Sequence, residues 1–222
     1  MTEKLHYETV SAMLKDILCT IMSEPLFYPF RLVGGTNLSL RYGHRKSVDI
    51  DLFTDAYYGS LDFGTFENWM QERFNYYDCP TKTMPVGFGR SYYVGESAQN
   101  CIKLDLMYTD PFIEPVETVD GLRIASVRDI IAMKMDVVRR GGRKKDFWDL
   151  HMLLEEYSLP EMLDTHARRY EWTHDTEELL RQCLDFSNAD KDFEPICLLG
   201  KNWDDIKLDF IDAVRAATTS GK

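Results

Sequence analysis

Two aspartates occupy one face of a predicted strand in the segment RKSVDIDLF. Apolar side chains alternate there with Asp49 and Asp51. Because successive side chains of a strand point to opposite faces, both carboxylates lie on the same face. Their like charges repel, and even partial burial without a cation is costly. A divalent ion such as Mg²⁺, which prefers oxygen ligands, would remove this conflict. A strand with one solvated face is the alternative.

A third carboxylate follows in the segment CIKLDLMY. Its apolar residues alternate with Lys103 and Asp105, which share one face of a second predicted strand. If this strand neighbours the first, Asp105 joins the two earlier aspartates. Three carboxylates on adjacent strands can hold two metal ions, one for an attacking hydroxyl and one for a leaving group. An amphipathic strand without a ligand is again the alternative.

Two glycines after an apolar run could bind phosphate. Gly34 and Gly35 allow the backbone to approach a ligand closely. The following Thr36 and Asn37 can cap a helix whose N-terminal amides face an anion. No Lys-Ser or Lys-Thr pair follows, so this is not a P-loop. The D-x-D pattern begins after enough residues for one helix and a return strand, which would bring the amides beside the carboxylates.

Basic and acidic residues recur downstream. Lys134 lies in register with the apolar stripe of SVRDIIAMKMDVVRR, which is expensive unless the lysine snorkels or meets an anion such as a nucleotide phosphate. Asp146 lies in the first turn of the next predicted helix, where the helix dipole favours an acid. Arg143, Lys144 and Lys145 could meet a triphosphate or an RNA backbone. A solvated basic turn is the alternative, and we favour it for Lys145.

The elements that would position these residues indicate an α+β protein. A mixed α/β part over residues 1–125 precedes a helical part over residues 126–222. Helical periodicity predicts helices over residues 4–22, 63–77, 127–140, 145–156, 160–170, 175–186 and 203–217, and residues 34–43 are predicted to be a turn that leads into a helix. Alternation and turn signals predict strands over residues 30–33, 47–53, 101–108 and 121–126, with a glycine-broken hairpin over residues 81–95.

The composition limits the class of protein. The chain has 222 residues and a formal net charge of −11, which disfavours an extended basic nucleic-acid surface but not a local basic patch. Five cysteines without C-x-x-C spacing indicate reduced thiols in a cytoplasmic protein. The N-terminus lacks the apolar core of a signal peptide. No run reaches the roughly 18 apolar residues of a transmembrane helix, so no membrane partner is expected.

Taken together, GGTNL, RKSVDIDLF and KLDL resemble the signature of the DNA polymerase β-like nucleotidyltransferase superfamily. More narrowly, they resemble the AbiEii family, which includes MenT-type toxins. Lys134 and residues 144–149 match that family's downstream lysine and its K-D-x-x-D segment. The resemblance covers roughly residues 5–155, and the C-terminal third carries no motif that matches.

The resemblance implies a polymerase β-like nucleotidyltransferase core, a mixed sheet with flanking helices, followed by a C-terminal helical bundle. It implies transfer of a nucleotidyl group from an NTP with Mg²⁺ or Mn²⁺, and catalysis by Asp49, Asp51, Asp105, Lys134 and Asp146. The first three of these would hold the metal. The implied nucleotide-binding residues are Gly34, Gly35, Thr36, Ser47, Lys103, Lys134 and Arg143.

The same resemblance suggests partners. The acceptor would be the 3′ end of tRNA, the outcome toxicity, and the regulator an antitoxin protein encoded nearby. In MenT-like toxins the antitoxin can phosphorylate a serine placed like Ser47. The alternative is that Ser47 is an ordinary serine of the strand with no regulatory role. The helices of residues 160–217 would form a wall that presents positive charge to the acceptor, from Arg168, Arg169, Arg181 or Lys201.

Two other functions stay open. The chain could be a transferase of the same fold that modifies a protein or a small molecule, which the negative net charge favours slightly. It could also be a non-enzymatic interaction protein on a decayed transferase scaffold, against which the intact carboxylates and the glycine pair count. A DNA-binding regulator is disfavoured, because no recognition helix rich in arginine and asparagine is evident.

Overall fold

The structure is a computed structural model that describes residues 4–219. The chain forms two compact units. The first comprises the described residues up to Tyr42 together with Ser47–Ala125, and the second comprises Gly43–Lys46 and the described residues from Ser126 onward. The predicted division placed residues 1–125 together, so the short segment Gly43–Lys46 departs from it.

A mixed sheet of seven strands forms the first unit, in the order β3-β4-β5-β2-β1-β7-β6. Strand β2 pairs in parallel with β5, and β1 pairs in parallel with β7, whereas the other neighbours are antiparallel. The mixed sheet with flanking helices that the sequence predicts is therefore confirmed. The strands are β1 Arg31–Leu32, β2 Asp49–Thr54, β3 Tyr76–Asp78, β4 Gly89–Ser97, β5 Asn100–Tyr108, β6 Glu117–Val119 and β7 Leu122–Ile124.

Three α-helices belong to the first unit: α1 Ala12–Ser23, α2 Gly34–Tyr42 and α3 Phe63–Arg73. The predicted helix over residues 4–22 is wrong in its start, because the Ser11 hydroxyl caps α1 by accepting a hydrogen bond from the Leu14 amide at 3.1 Å. The predicted helix over residues 63–77 ends at Arg73. Aromatic residues of high strand propensity follow and pair with β4 as strand β3.

Two further strand predictions differ from the structure. The hairpin predicted over residues 81–95 is wrong, because β4 begins only at Gly89 and pairs with β3 and β5. Strand β6 had no sequence prediction. It is three residues long and pairs only with β7 in the described sheet, so it is too short for an alternating pattern to be recognised.

Helix α2 is attached to the sheet through Asn37. This side chain is buried, and its Nδ2 donates to the carbonyl oxygens of Leu32 at 2.9 Å and Ala125 at 3.0 Å. The sequence suggested a capping role for Asn37. It instead satisfies the last carbonyls beside β1 and β7, and thereby fixes the start of α2 next to the sheet.

The second unit is mainly helical. Phe147 lies at its centre, with ring centroids 5.2 Å from Phe186, 5.9 Å from Trp203 and 5.3 Å from Phe210. The prediction of C-terminal helices is confirmed, although the helix predicted to residue 186 ends at Gln182 and an irregular segment follows. The helices are α4 Val127–Arg139, α5 Lys144–Leu153, α6 Leu159–Arg169, α7 Thr176–Gln182 and α8 Trp203–Thr219.

None of the helices within residues 4–219 has the length and apolar character needed to cross a membrane.

Candidate active site

The two acidic strands are direct neighbours in the first unit. In the parallel register of β2 and β5, Asp49 pairs with Lys103 and Asp51 pairs with Asp105. Along both strands, every second residue is buried and the acidic residues fall on the other face. The predicted adjacency of these strands is therefore confirmed, and it brings three carboxylates and one ammonium to one face of the sheet.

Lys103 is the cation among these acids. Its Nζ lies 2.5 Å from Oδ2 of Asp105. Partial burial alone would lower the pKa of Lys103, but the hydrogen bond to Asp105 and the charges of Asp105, Asp51 and Asp49 raise it. The lysine is thus held in its charged form by all three aspartates. The other oxygen of Asp105, Oδ1, is buried without a hydrogen-bond partner.

The glycine turn lies against this acidic face. Gly34 has a φ of +69°, and a Cβ atom built on it would lie 2.5 Å from Oδ2 of Asp51. The amide of Val33 donates to the carbonyl of Asp51 at 2.9 Å. Because the first amides of a helix have no partners within the helix, the N-terminus of α2 offers donors to an anion close to these carboxylates.

Thr36 and Ser47 connect the turn to the start of β2. The hydroxyl of Thr36 donates to the carbonyl of Asp49 at 2.5 Å and lies 2.8 Å from the hydroxyl of Ser47. Only 1% of Thr36 is exposed. Its side chain is therefore placed to hold the turn and the strand together, and any contact with a nucleotide would come from its backbone.

In the second unit, Lys134 is buried between two acids. Its Nζ lies 2.6 Å from Oδ1 of Asp146 and 2.8 Å from Oδ2 of Asp149. Burial alone would lower the pKa of Lys134, but the charges of Asp149 and Asp146 raise it. The alternative that this lysine snorkels into solvent is wrong, because it meets anions of its own chain.

Asp149 has more hydrogen-bonding and charged partners than the sequence pattern indicated. This fully buried carboxylate accepts hydrogen bonds from Arg45, at 2.6 Å from Nε and 2.8 Å from Nη2, and lies 2.8 Å from Nε2 of His44. Burial would raise its pKa, but Arg45, Lys134 and His44 lower it well below the usual value. Sequence reasoning assigned no role to His44, Arg45 or Asp149. The i,i+3 spacing of Asp146 and Asp149, which puts both on one helix face, was the available signal.

The basic turn before α5 is only partly solvated. Arg143 forms an ion pair with Asp192 at 3.1 Å and stays exposed. Lys144 is buried, with its Nζ 5.4 Å from the ring centroid of Trp203. The solvated turn that the sequence left open as an alternative therefore does not describe Lys144.

One of the predicted acceptor-facing arginines is not at the surface. The Arg169 side chain is fully buried and its Nη1 lies 3.0 Å from Oδ1 of Asp129, which is equally buried. The prediction for Arg169 is wrong, because the sequence could not reveal this partner forty residues away. Arg168 and Arg181 are exposed, as is Lys201.

The acidic face matches a divalent ion in donor type. Carboxylate oxygens suit Mg²⁺ or Mn²⁺, and Oδ1 of Asp105 is buried without a hydrogen-bond partner. Within residues 4–219, however, no three Asp, Glu, His or Cys side chains stand in an arrangement that could hold a metal ion. Lys103 contacts Oδ2 of Asp105, so only Oδ1 of this carboxylate is left without a hydrogen-bond partner.

The family of the chain follows from a comparison with known proteins. The family model for the nucleotidyl transferase AbiEii toxin of type IV toxin–antitoxin systems matches residues 16–218. The chain belongs to this family of nucleotidyltransferases. The uncharacterized protein aq_aa25 of Aquifex aeolicus (strain VF5) is 29% identical over 150 residues, which are 64% of this chain and 66% of that protein, just under two thirds of its length.

Solved structures share the fold. A putative nucleotidyltransferase from H. pylori has a TM-score of 0.58 at 23% identity, covering 92% of this chain and 93% of that chain. JHP933 from Helicobacter pylori has a TM-score of 0.55 at 22% identity, covering 93% and 92%. MenT4, the nucleotidyltransferase toxin Rv2826c from Mycobacterium tuberculosis H37Rv, has a TM-score of 0.61 at 14% identity, covering 91% and 82%. The predicted fold class is confirmed.

Proposed function

We propose that this protein transfers a nucleotidyl group from an NTP to an acceptor hydroxyl in a reaction that needs Mg²⁺ or Mn²⁺. The observation that carries the proposal is the pairing of Asp51 with Asp105 across β2 and β5, with the backbone of Gly34 against the Asp51 carboxylate. Anion-binding amides and metal-binding oxygens are thereby adjacent, which is what a metal-bound triphosphate requires.

The proposed site residues of the first unit have different roles in the reaction. Asp49, Asp51 and Asp105 would hold the divalent ion, and the ion would supply positive charge to the phosphates and the attacking oxygen. Asp105 orients the acceptor hydroxyl and accepts its proton. The backbone amides of Gly34, Gly35 and Thr36, with Lys103 and Ser47 beside them, bind the triphosphate.

The second unit carries three more of the predicted residues, Lys134, Asp146 and Arg143. The family resemblance assigns Lys134 and Asp146 to catalysis and Arg143 to nucleotide binding, and these roles stay predictions. The ion pair between Lys134 and Asp146 supports them only in one respect: it keeps the lysine charged, as a phosphate-binding lysine must be.

We propose the 3′ end of tRNA as the acceptor, because the chain belongs to a toxin family of type IV systems and MenT4 is named a nucleotidyltransferase toxin. An antitoxin encoded nearby would restrain the enzyme, and the reaction would run in the cytoplasm. Phosphorylation of Ser47 would add negative charge next to Asp49 and oppose binding of a triphosphate there.

A protein or a small molecule is the second candidate acceptor. The net charge of −11 favours it, because a polyanion is repelled by an acidic protein unless basic residues are concentrated where it binds. The two candidates differ in the product and not in the chemistry at the acidic strands, so one assay can separate them.

The test is to incubate the protein with each α-³²P-labelled NTP, Mg²⁺ and total tRNA, and to size the labelled product. We expect label in tRNA-sized material with wild type and with Asp78→Asn, which removes an exposed acid from the same sheet. The Asp51→Asn variant should show no transfer of label, while its circular dichroism spectrum should match that of wild type. Label in protein or in a small product would favour the second candidate. Full transfer by Asp51→Asn would refute the proposed site.

A further inference from the structure

The acidic face of the sheet continues beyond β5 onto the neighbouring strand β4. In the antiparallel register of these two strands, Ser91 pairs with Asp105 and Tyr93 pairs with Lys103. Because residues directly opposite each other on neighbouring strands project on the same face, Ser91 and Tyr93 emerge beside the charged residues of β5. An aromatic side chain therefore lies next to the one lysine of this face of β5.

Strand β3 adds a second tyrosine to the same face. Tyr76 pairs with Gly95, which lies two positions after Tyr93 on β4. Tyr76 and Tyr93 are thus diagonal neighbours on antiparallel strands, a separation of about 7–8 Å that aromatic side chains can span. Both tyrosines are partly exposed.

The hydrophobic core does not account for these two tyrosines. It lies against the opposite face of the strands, where Tyr92 is fully buried and its ring centroid lies 5.9 Å from that of Tyr77. Tyr76 and Tyr93 alternate with these core residues along β3 and β4, so they project away from the core. Their rings are available to a ligand that lies on the acidic face.

Aromatic side chains on a polar sheet face stack on unpaired nucleobases, and because every base has a π-face, such stacking tolerates any base. The ammonium of Lys103, beside Tyr93, is a donor for phosphate. A nucleotide whose phosphate met Lys103 would therefore extend its sugar and base over β4. The neighbouring positive charge favours a nucleotide at this place over an apolar peptide.

We propose that Tyr93, with Tyr76 beside it, is a stacking surface for an unpaired nucleobase next to the proposed transfer site. The base belongs either to the NTP or to the unpaired 3′ end of a nucleic-acid acceptor. This inference rests on the proposed function, because it takes a nucleotide as the ligand. It depends on the register of β3, β4 and β5 and not on which residues hold a metal ion.

The first experiment separates the base from the phosphates. Calorimetric titration compares an NTP that carries a methylene group between its α- and β-phosphates with inorganic triphosphate, which has no base. We expect Tyr93→Ala to weaken binding of the NTP analogue by about 10-fold and to change binding of triphosphate by less than about 2-fold. Tyr93→Phe keeps the ring and should bind both as wild type does. Tyr57→Ala, which removes an 88% exposed ring elsewhere in the same unit, is the matched control.

The second experiment tests the acceptor as the source of the base. Fluorescence anisotropy compares an RNA hairpin that has an unpaired 3′ tail with the same hairpin made blunt. If the stacked base is the acceptor's, Tyr93→Ala should weaken binding of the tailed RNA by about 10-fold, leave the blunt RNA unchanged, and leave the NTP analogue unchanged. Tyr57→Ala should bind both RNAs as wild type does.

A loss that depends on the base, in either experiment, supports the stacking surface and identifies the source of the base. Equal losses for the NTP analogue and triphosphate, or for tailed and blunt RNA, would show that Tyr93 only supports the structure. Unchanged binding of every ligand by Tyr93→Ala also overturns the inference, while binding of the NTP analogue by wild type leaves the proposed function standing. If wild type binds none of these ligands, both proposals fail. Tyr93→Leu, checked by circular dichroism, replaces Tyr93→Ala if the latter does not fold.

Discussion

The carboxylate of Asp51 fills the space that a side chain at Gly34 would need. A Cβ atom at residue 34 would lie 2.5 Å from Oδ2 of Asp51, and the φ of +69° at Gly34 is one that side-chain-bearing residues rarely adopt. The glycine turn and the acidic strand are therefore fitted to each other through one contact. Any displacement of the turn moves the amides that we propose to bind phosphate relative to the carboxylate.

Gly34→Ala should reduce nucleotidyl transfer by about 100-fold or more, because a shift of about 1 Å in a positioned group has an effect of that size. It should also destabilise the fold. The measurements are initial rates with labelled NTP and urea unfolding. The matched control is Gly59→Ala, since Gly59 has a φ of +79° with nothing within 4 Å of the added Cβ. Its strained backbone should cost about 1 kcal/mol of stability without loss of rate. Equal rates for both alanine variants would show that the contact with Asp51 is unimportant.

Lys134→Met should lower the free energy of unfolding by about 3 kcal/mol, because removing one partner of a buried ion pair leaves uncompensated charge behind. If Lys134 contacted only a bound phosphate, its replacement would cost little stability. Because Lys134 instead pairs with the buried acids Asp146 and Asp149, we expect a large loss of stability. Lys145→Met, on the same helix as these acids, is the control and should change stability by less than about 0.5 kcal/mol. Urea unfolding measures both, and similar values for the two variants would contradict the prediction.

Asp136 should make stability depend on pH in the acid range. Burial alone would raise its pKa, but contacts with His166 and Arg139 and the charge of Arg140 lower it to about 2. A carboxyl with a lowered pKa in the folded state stabilises above its unfolded pKa of about 3.9, and that stability is lost as pH falls toward the folded value.

Asp136→Asn should therefore cost about 2 kcal/mol at pH 7, with the difference from wild type shrinking between pH 4 and pH 2. Asp164→Asn, which changes an exposed acid on α6, is the control. Urea unfolding at a series of pH values gives the comparison. A difference between Asp136→Asn and wild type that stays constant from pH 7 to pH 3 and below would show that the lowered pKa is not real.

Arg168→Glu should raise the KM for a tRNA acceptor by about 10-fold, leave the KM for NTP unchanged, and reduce the dependence of the rate on salt, because contacts to a polyanion release counterions. Arg169 is unsuitable for this test because it is buried on Asp129. Arg215→Glu reverses an exposed charge on α8 and is the control. If transfer is indifferent to salt and to Arg168→Glu, a protein or small-molecule acceptor becomes the better proposal.

The sequence by itself determined the acidic strands. The alternation of apolar residues with Asp49, Asp51 and Asp105 has the period of a strand with one buried face, and such a pattern depends only on neighbours along the chain. The glycine pair was also readable as a point of close backbone approach, and Gly34 has the positive φ and the nearby carboxylate that only glycine tolerates.

The tertiary structure alone decided which charges are neutralised by which partners. His44 and Arg45 meet Asp149 across about a hundred residues of sequence, and Arg169 meets Asp129 across forty. A charged residue that reads as a solvated or ligand-binding group can be buried whenever a distant residue of opposite charge is brought to it. Periodicity and spacing describe only the residue's own element, so they located the acidic strands but not these long-range pairs.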